Sequence, residues 1–184
     1  MIYLIAGASH TGKTWLAQRL LETFHIPYLS LDHLKMGLIR SGQTSLTVYD
    51  DEKLTEYLWP IVKEMIKTAI ENHQHLIIEG CYIPFDYKQD FTDMYLRSIK
   101  EICLVFSAEY IQENIKSIQS YSSVIEQRLD ESYVNIDWLM DVNLKNLTLC
   151  REYQWCYYVV EKTYGINKMV QYMIDHDFFT EVLR

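Results

Sequence analysis

The chain has 184 residues, 49% of them apolar, which is enough for one hydrophobic core of ordinary size. Against 17 Lys and Arg stand 25 Asp and Glu, and the net charge of −8 without a dense basic run excludes a general grip on nucleic acid. No apolar stretch reaches membrane-spanning length, no secretory leader pattern opens the chain, and Cys81, Cys103, Cys150 and Cys156 lack CxxC or metal-ligand spacing. The reading is a cytoplasmic protein with reduced, mostly buried cysteines and no membrane partner.

Short apolar runs alternate with longer segments of helical period, the rhythm of parallel strands joined by crossover helices. Residues 2–6 (IYLIA) read as the first strand, and Trp15, Leu16, Leu20, Leu21 and Phe24 mark the helix after it. Residues 28–31, just past Pro27, read as the second strand, followed by a short helix over 34–40 and a loop containing Gly42. Apolar residues spaced by three and four from Leu54 to Ile70 predict a long helix, kinked at Pro60 and ending near His73. Residues 75–79 and 101–106 are strands three and four, apolar as strands buried on both faces should be. A helix from Ser107 toward Ser120 precedes a polar stretch, 120–137, that reads as a mobile surface segment. A helix over 138–153, a strand over 156–160 and a final helix complete the expected single domain, 1–184.

Between the first strand and the first helix stands GASHTGKTW: Gly7, Ala8, Ser9, His10, Thr11, Gly12, Lys13, Thr14 and Trp15. Its first eight residues match GxxxxGK[ST], the phosphate-binding loop, in the strand-to-helix setting that motif needs. Glycines let backbone amides turn inward around a phosphate, the helix N-terminus adds positive potential, Lys13 reaches the outer phosphates and the Thr14 hydroxyl can hold Mg²⁺. Many nucleotide kinases have glycine where this chain has His10, and a second hydroxyl residue where it has Trp15. His10 reads as a solvated loop histidine or as a residue facing the nucleotide. Trp15 packs beneath the loop or lines the nucleotide cleft.

Guanine specificity is disfavoured, because the only NKx sequence, Asn167 to Val170, lacks the Asp of NKxD. Asp32 ends the second strand, where a doubly wound sheet presents residues to the crevice at its carboxyl edge, and is the candidate base for an acceptor hydroxyl. The same residue type also suits the cap of a helix starting at His33. Glu79 closes the third strand, where a carboxylate can hold metal-bound water or position substrate; buried structural pairing is the alternative. Lys35 and Arg40 are candidates for an anionic group on the acceptor, or simple surface cations. Arg128, in the polar segment, is a candidate lid arginine for the transferring phosphate, or a surface partner of Glu126 or Asp130. The loop after the fifth strand, residues 163–166, borders the base in such an architecture.

GASHTGKT, SLD at residues 30–32 and LIIEG at 76–80, in that order, resemble the small phosphate-loop kinases, the group containing adenylate kinase, shikimate kinase, chloramphenicol phosphotransferase and zeta toxin. SLDHLKMGLIRSG (30–42) with LIIEGCYIP (76–84) is similar more narrowly to bacterial proteins labelled adenylate kinase or 2-phosphoglycerate kinase. The resemblance implies a three-layer α/β/α fold, a five-stranded parallel sheet in the order 2-3-1-4-5, and a helical lid at about residues 108–137. It also implies ATP with Mg²⁺ and a small-molecule phosphate acceptor. By position, residues 7–14 would bind the triphosphate, Asp32 would face the acceptor and Arg128 would belong to the lid, where related proteins often carry two or more arginines and this chain offers one plus Lys116. The expected function is ATP-dependent phosphoryl transfer to a small hydroxyl- or phosphate-bearing metabolite, 2-phosphoglycerate-kinase-like, by a monomer or homodimer. Two alternatives stand beside it: a nucleoside monophosphate kinase, in which Asp32 would bind substrate, and an ATP-binding switch that transfers nothing.

Overall fold

The N-terminal apolar run forms β1 (Ile2–Gly7), buried along its whole length in a computed structural model that describes residues 1–121 and 135–180. Tyr3 and Ile5 join one core with Leu16, Leu20, Ile77, Leu104 and Met173, while Ile2, Leu4 and Ala6 join a second with Leu58, Val62, Ile78 and Val105. Side chains alternate across a strand, so a strand with a dry layer on each face reads as one unbroken apolar run.

The other strands are β2 (Tyr28–Ser30), β3 (Leu76–Glu79), β4 (Ile99–Phe106) and β5 (Cys156–Val160). All pairings are parallel and the order is β2-β3-β1-β4-β5, the arrangement expected from the resemblance. The helices are α1 (Lys13–Phe24), α2 (Leu31–Arg40), α3 (Asp51–Glu71), the one-turn α4 (Asp93–Leu96), α5 (Ala108–Tyr121), α6 (Ile136–Glu152) and α7 (Ile166–Asp175). Leu16 and Leu20 of α1, Ile111 and Ile118 of α5 and Met169 and Met173 of α7 cover one face of the sheet, and Leu54, Leu58, Val62 and Ile66 of α3 cover the other. Truncating such a fully buried leucine to alanine costs about 2–5 kcal/mol. Asn143 of α6 closes the end of β4, accepting from the Phe106 N–H at 2.8 Å and donating to the Leu139 carbonyl at 2.8 Å.

Three expectations change. The second strand stops at Ser30, and α2 begins at Leu31 rather than at residue 34, because Leu31 is drawn under the sheet edge against Gly80 and the α3 core. Asp32 therefore lies in the first turn of α2 rather than at the strand end, and Ser30, not Asp32, occupies the capping position. α3 runs from Asp51 to Glu71 with Pro60, which is exposed, inside it. The segment between β3 and β4 also carries a 3₁₀ turn (Tyr87–Asp90) and α4, held by aromatic contacts of Trp59, Tyr87, Phe91 and Trp155.

Cys103 and Cys150 are buried, Cys156 is half-buried and Cys81 is exposed; all four are free thiols. No helix among the described residues is long and apolar enough to cross a membrane. Residues 122–134, which include Arg128 and most of the expected mobile segment, lie outside the described residues. The expected lid thus has its first part in α5, whose Ile111 and Ile118 are anchored in the core.

Candidate active site at the carboxyl edge of the sheet

The loop from Gly7 to Gly12 is drawn tight by its own side chains. Thr11 Oγ1 donates to the Ala8 carbonyl at 2.9 Å, and Lys13 Nζ donates to the same oxygen at 2.8 Å. Thr11 is wholly buried and Lys13 only 5% exposed, so the ammonium sits at the floor of the loop instead of in solvent. The unsatisfied amides of the first turn of α1 add positive potential at the same place. A phosphate chain is a ligand that matches a buried cation at a helix N-terminus.

Gly12 has φ 84°, in the left-handed region, and a Cβ there would fall 1.7 Å from Tyr164 Oη. The second loop glycine is thus required by backbone conformation and by the ring packed against it. His10 also has positive φ, 71°. This accounts for glycine at that position in related loops, because an L side chain is strained there. His10 is half-buried. Ser9 is likewise half-buried.

Trp15 does not pack beneath the loop. It is 40% exposed and stacks on Tyr164, with ring centroids 5.4 Å apart and planes 13° from parallel. Tyr164 lies in the loop after β5, within the 163–166 stretch expected to border the base, and Phe106 meets its ring edge-on at 6.2 Å. Burial, then the neighbouring Tyr110, pushes the Tyr164 phenol above its ordinary range, so the hydroxyl stays protonated. Its Oη has no hydrogen-bond partner among the described residues.

Glu79, 1% exposed, ends β3 with Ile5 of β1 and Ser30 of β2 beside it in register. Thr14 Oγ1 donates to Glu79 Oε1 at 3.1 Å, a contact spanning 65 residues of sequence. A hydroxyl oxygen and a carboxylate oxygen side by side next to a phosphate-binding loop are the hard donors that suit Mg²⁺, which keeps most of its shell for water and phosphate.

In the first turn of α2, Asp32 forms an ion pair with Lys35. The Lys35 ammonium also donates to Tyr82 Oη at 2.9 Å and lies 4.9 Å from that ring's centroid. Tyr82 Oη in turn donates to Asp51 Oδ1 at 3.0 Å. Burial, followed by the charges of Asp51 and Asp32, drives the Tyr82 phenol far above its ordinary range, so it remains a neutral hydroxyl. Lys35 is therefore engaged by Asp32 and Tyr82. Arg40 is exposed at the far end of α2, about 12 Å along the axis from Asp32 at 1.5 Å per residue.

The structure thus gathers the loop, Thr14 and Glu79 into one cluster and Asp32 with Lys35 into a neighbouring one, tied by β2–β3 pairing and by Gly80 packed on Leu31. Tyr82 and Asp51 were missed from sequence. Tyr82 lies three residues beyond Glu79, which was the available signal, whereas Asp51 in YDDE reads simply as an acidic helix start.

No family model matches the chain, and no curated protein matches it. Solved structures do. The chain is similar to a deoxyadenosine kinase from M. mycoides with the products dCMP and dCDP bound, at TM-score 0.61 and 13% identity, covering 96% of this chain and 98% of that one. It is also similar to a gluconokinase from Sinorhizobium meliloti 1021, at TM-score 0.54 and 13% identity over 92% and 86% of the two chains. A shikimate kinase from Aquifex aeolicus vf5 matches at TM-score 0.52 and 14% identity over 99% of each chain. With its sheet order and its loop geometry already described, the chain has the phosphate-loop kinase fold.

Proposed function

We propose that the protein is an ATP-dependent kinase that phosphorylates a hydroxyl group of a small metabolite. The observation that carries this reading is the Thr14–Glu79 contact at 3.1 Å, which sets a metal-type oxygen pair beside the buried Lys13, one strand away from the helix whose first turn carries Asp32. A nucleotide-binding switch needs the loop and a carboxylate beside it for the metal; it does not need a second carboxylate, Asp32, in the first turn of the next helix. The resemblance and the solved kinases of the same fold support the reading.

In this mechanism the loop amides and Lys13 hold the triphosphate and offset the charge that spreads over the transferring group. Thr14 and Glu79 would hold Mg²⁺, which when bound neutralises phosphate charge. Asp32 orients the acceptor hydroxyl and takes its proton as the acceptor oxygen bonds to the γ-phosphorus and the bond to the β–γ bridging oxygen breaks. Lys35 holds the Asp32 carboxylate in place. Trp15 and Tyr164 line the base end of the nucleotide, and Arg128 closes over the γ-phosphate from the lid. The products are ADP and a phosphate monoester, and the enzyme acts where ATP is abundant, in the cytoplasm, as a monomer or homodimer. A phosphorylated acceptor such as 2-phosphoglycerate would be served by the same hydroxyl chemistry.

The test is label transfer from γ-labelled ATP with Mg²⁺ to a panel of sugar acids and phosphoglycerates, nucleosides and their monophosphates, and hydroxylated antibiotics. Transfer to an alcohol is expected, reduced about 10²–10³-fold in Lys13→Ala. Tight ATP binding with no transfer to any acceptor would favour the switch, and transfer to a phosphate group would favour the monophosphate kinase.

A further inference from the structure

Ser30 closes β2 at the carboxyl edge of the sheet and stands at the capping position of α2, yet its side chain makes no capping hydrogen bond there. It is 2% exposed, and its Oγ has no hydrogen-bond partner among the described residues. Buried hydroxyls are nearly always paired, so an unpaired one calls for a ligand, an ion or a water as its partner. The surroundings of Ser30 indicate which.

Side chains alternate between the faces of a strand, so Ser30 shares a face with Tyr28, whose Oη donates to Gln18 Oε1 of α1 at 3.3 Å. From Tyr28 to Ser30 the strand advances about 6.6 Å toward the carboxyl edge of the sheet. From Gln18 back to Thr14, one turn nearer the start of α1, the helix covers about 6 Å in the same direction. Ser30 is thereby brought level with Thr14. A second relation agrees with the first. Ser30 is the register partner of Glu79 in the parallel β2–β3 pair, and Glu79 Oε1 accepts from Thr14 Oγ1 at 3.1 Å. Side-chain oxygens from β2, β3 and α1 thus lie at one level on one face of the sheet, beside the phosphate loop.

Mg²⁺ gives up its waters reluctantly, and a site that supplies two protein oxygens leaves several waters in the shell to be oriented. A metal-bound water is a strong hydrogen-bond donor, and a serine hydroxyl can accept from it without adding charge to a site that already has the Glu79 carboxylate. Resting on the kinase reading, we infer that Ser30 is a positioning residue of the metal site: its Oγ accepts a hydrogen bond from a water of the Mg²⁺ that Thr14 and Glu79 would hold. Ser30 then serves the donor side of the site through the metal, although it opens the helix that carries Asp32.

The experiment uses Mn²⁺ as the probe, because it takes an octahedral oxygen shell like that of Mg²⁺ and is paramagnetic. Its binding to the full-length protein with saturating ADP is followed by electron paramagnetic resonance, corrected for Mn²⁺ held by free ADP, and ADP affinity is measured separately in EDTA. Ser30→Ala removes the hydroxyl, and Ser30→Cys keeps a side chain of similar size whose sulfur is a weak acceptor. Both, checked for folding by circular dichroism, are expected to weaken Mn²⁺ binding about tenfold while ADP affinity in EDTA stays within about twofold. Parental Mn²⁺ affinity in either folded variant overturns the inference, and so does a parallel fall in Mn²⁺ affinity and in ADP affinity in EDTA, which would show that Ser30 acts by shaping the loop. Glu79→Gln separates this inference from the reading beneath it. Loss of Mn²⁺ binding in Glu79→Gln but not in the Ser30 variants removes Ser30 from the metal site and leaves the kinase reading intact. Unchanged Mn²⁺ binding in Glu79→Gln as well would place the metal elsewhere and overturn both.

Discussion

The proposed donor side and the proposed acceptor side of the site are built by different means. On the proposed donor side, nine consecutive residues running into α1 supply almost everything: a helix N-terminus, a buried ammonium and a hydroxyl, with Glu79 as one distant addition. On the acceptor side, Asp32, Lys35, Tyr82 and Asp51 come from α2, the segment after β3 and the start of α3, and their contacts span 47 and 31 residues of sequence. A site made of backbone can accept one chemistry, a phosphate chain, almost regardless of neighbouring side chains. A site made of side chains from three segments can be changed at any one of them, which is how one fold serves many acceptors.

The largest contrast between the two sides should appear in Asp32→Asn. Turnover with the best acceptor is expected to fall about 10²–10⁴-fold with ATP affinity within about twofold, measured by initial rates and by nucleotide titration of tryptophan fluorescence. A parallel loss of ATP affinity would mean that the two clusters are one electrostatic unit, and the distinction drawn above would collapse.

Gly12→Ala tests the backbone-made side. Its Cβ meets Tyr164 Oη at a separation no packing tolerates, and φ is positive. The variant is expected to lose about 3 kcal/mol in urea unfolding and to bind ATP weakly. Adding Tyr164→Ala should return the steric share and leave the backbone share, so the double variant falls between Gly12→Ala and Tyr164→Ala corrected for its own loss.

The smallest effect concerns the frame of the acceptor side. Asp90 accepts from Trp59 Nε1 at 2.7 Å and from Lys63 Nζ at 3.0 Å, fastening α3 to the segment that carries Tyr82. The Trp59 hydrogen bond and then Lys63 hold its carboxyl below the usual range. A lowered folded pKa contributes stability that is present above the unfolded value and is lost as pH falls through the folded value. Asp90→Asn should therefore cost about 1 kcal/mol near neutrality, with the difference from the parent shrinking in acid. An undiminished difference at a pH below the folded value would show that Asp90 acts by shape and not by charge.

Legibility in the sequence followed range. The phosphate loop, Glu79 and the alternation of strands and helices were readable because each is encoded over a few neighbouring residues with a fixed period or spacing. Asp32 was identified, yet its setting was misjudged: Ser30 and Leu31 have no local feature that ends the strand, and the turn is set by Leu31 packing on Gly80. The positive φ of His10 was not readable, because that conformation at a non-glycine residue leaves no mark in composition. Lys35 was left as a cation for the acceptor or for the surface, because its partners, Asp32 one turn away and Tyr82 far along the chain, are brought together only by the fold.

By itself, then, the sequence determined that this chain folds as a parallel α/β sheet around a phosphate loop, since apolar period and loop spacing act over a few ångströms of chain. Tertiary structure alone decided the contacts that join Asp32, Lys35, Tyr82 and Asp51 and the stacking of Trp15 on Tyr164. Both depend on side chains whose encounter is a consequence of strand order and helix packing, and no local pattern records an encounter between segments that meet only after the sheet has formed.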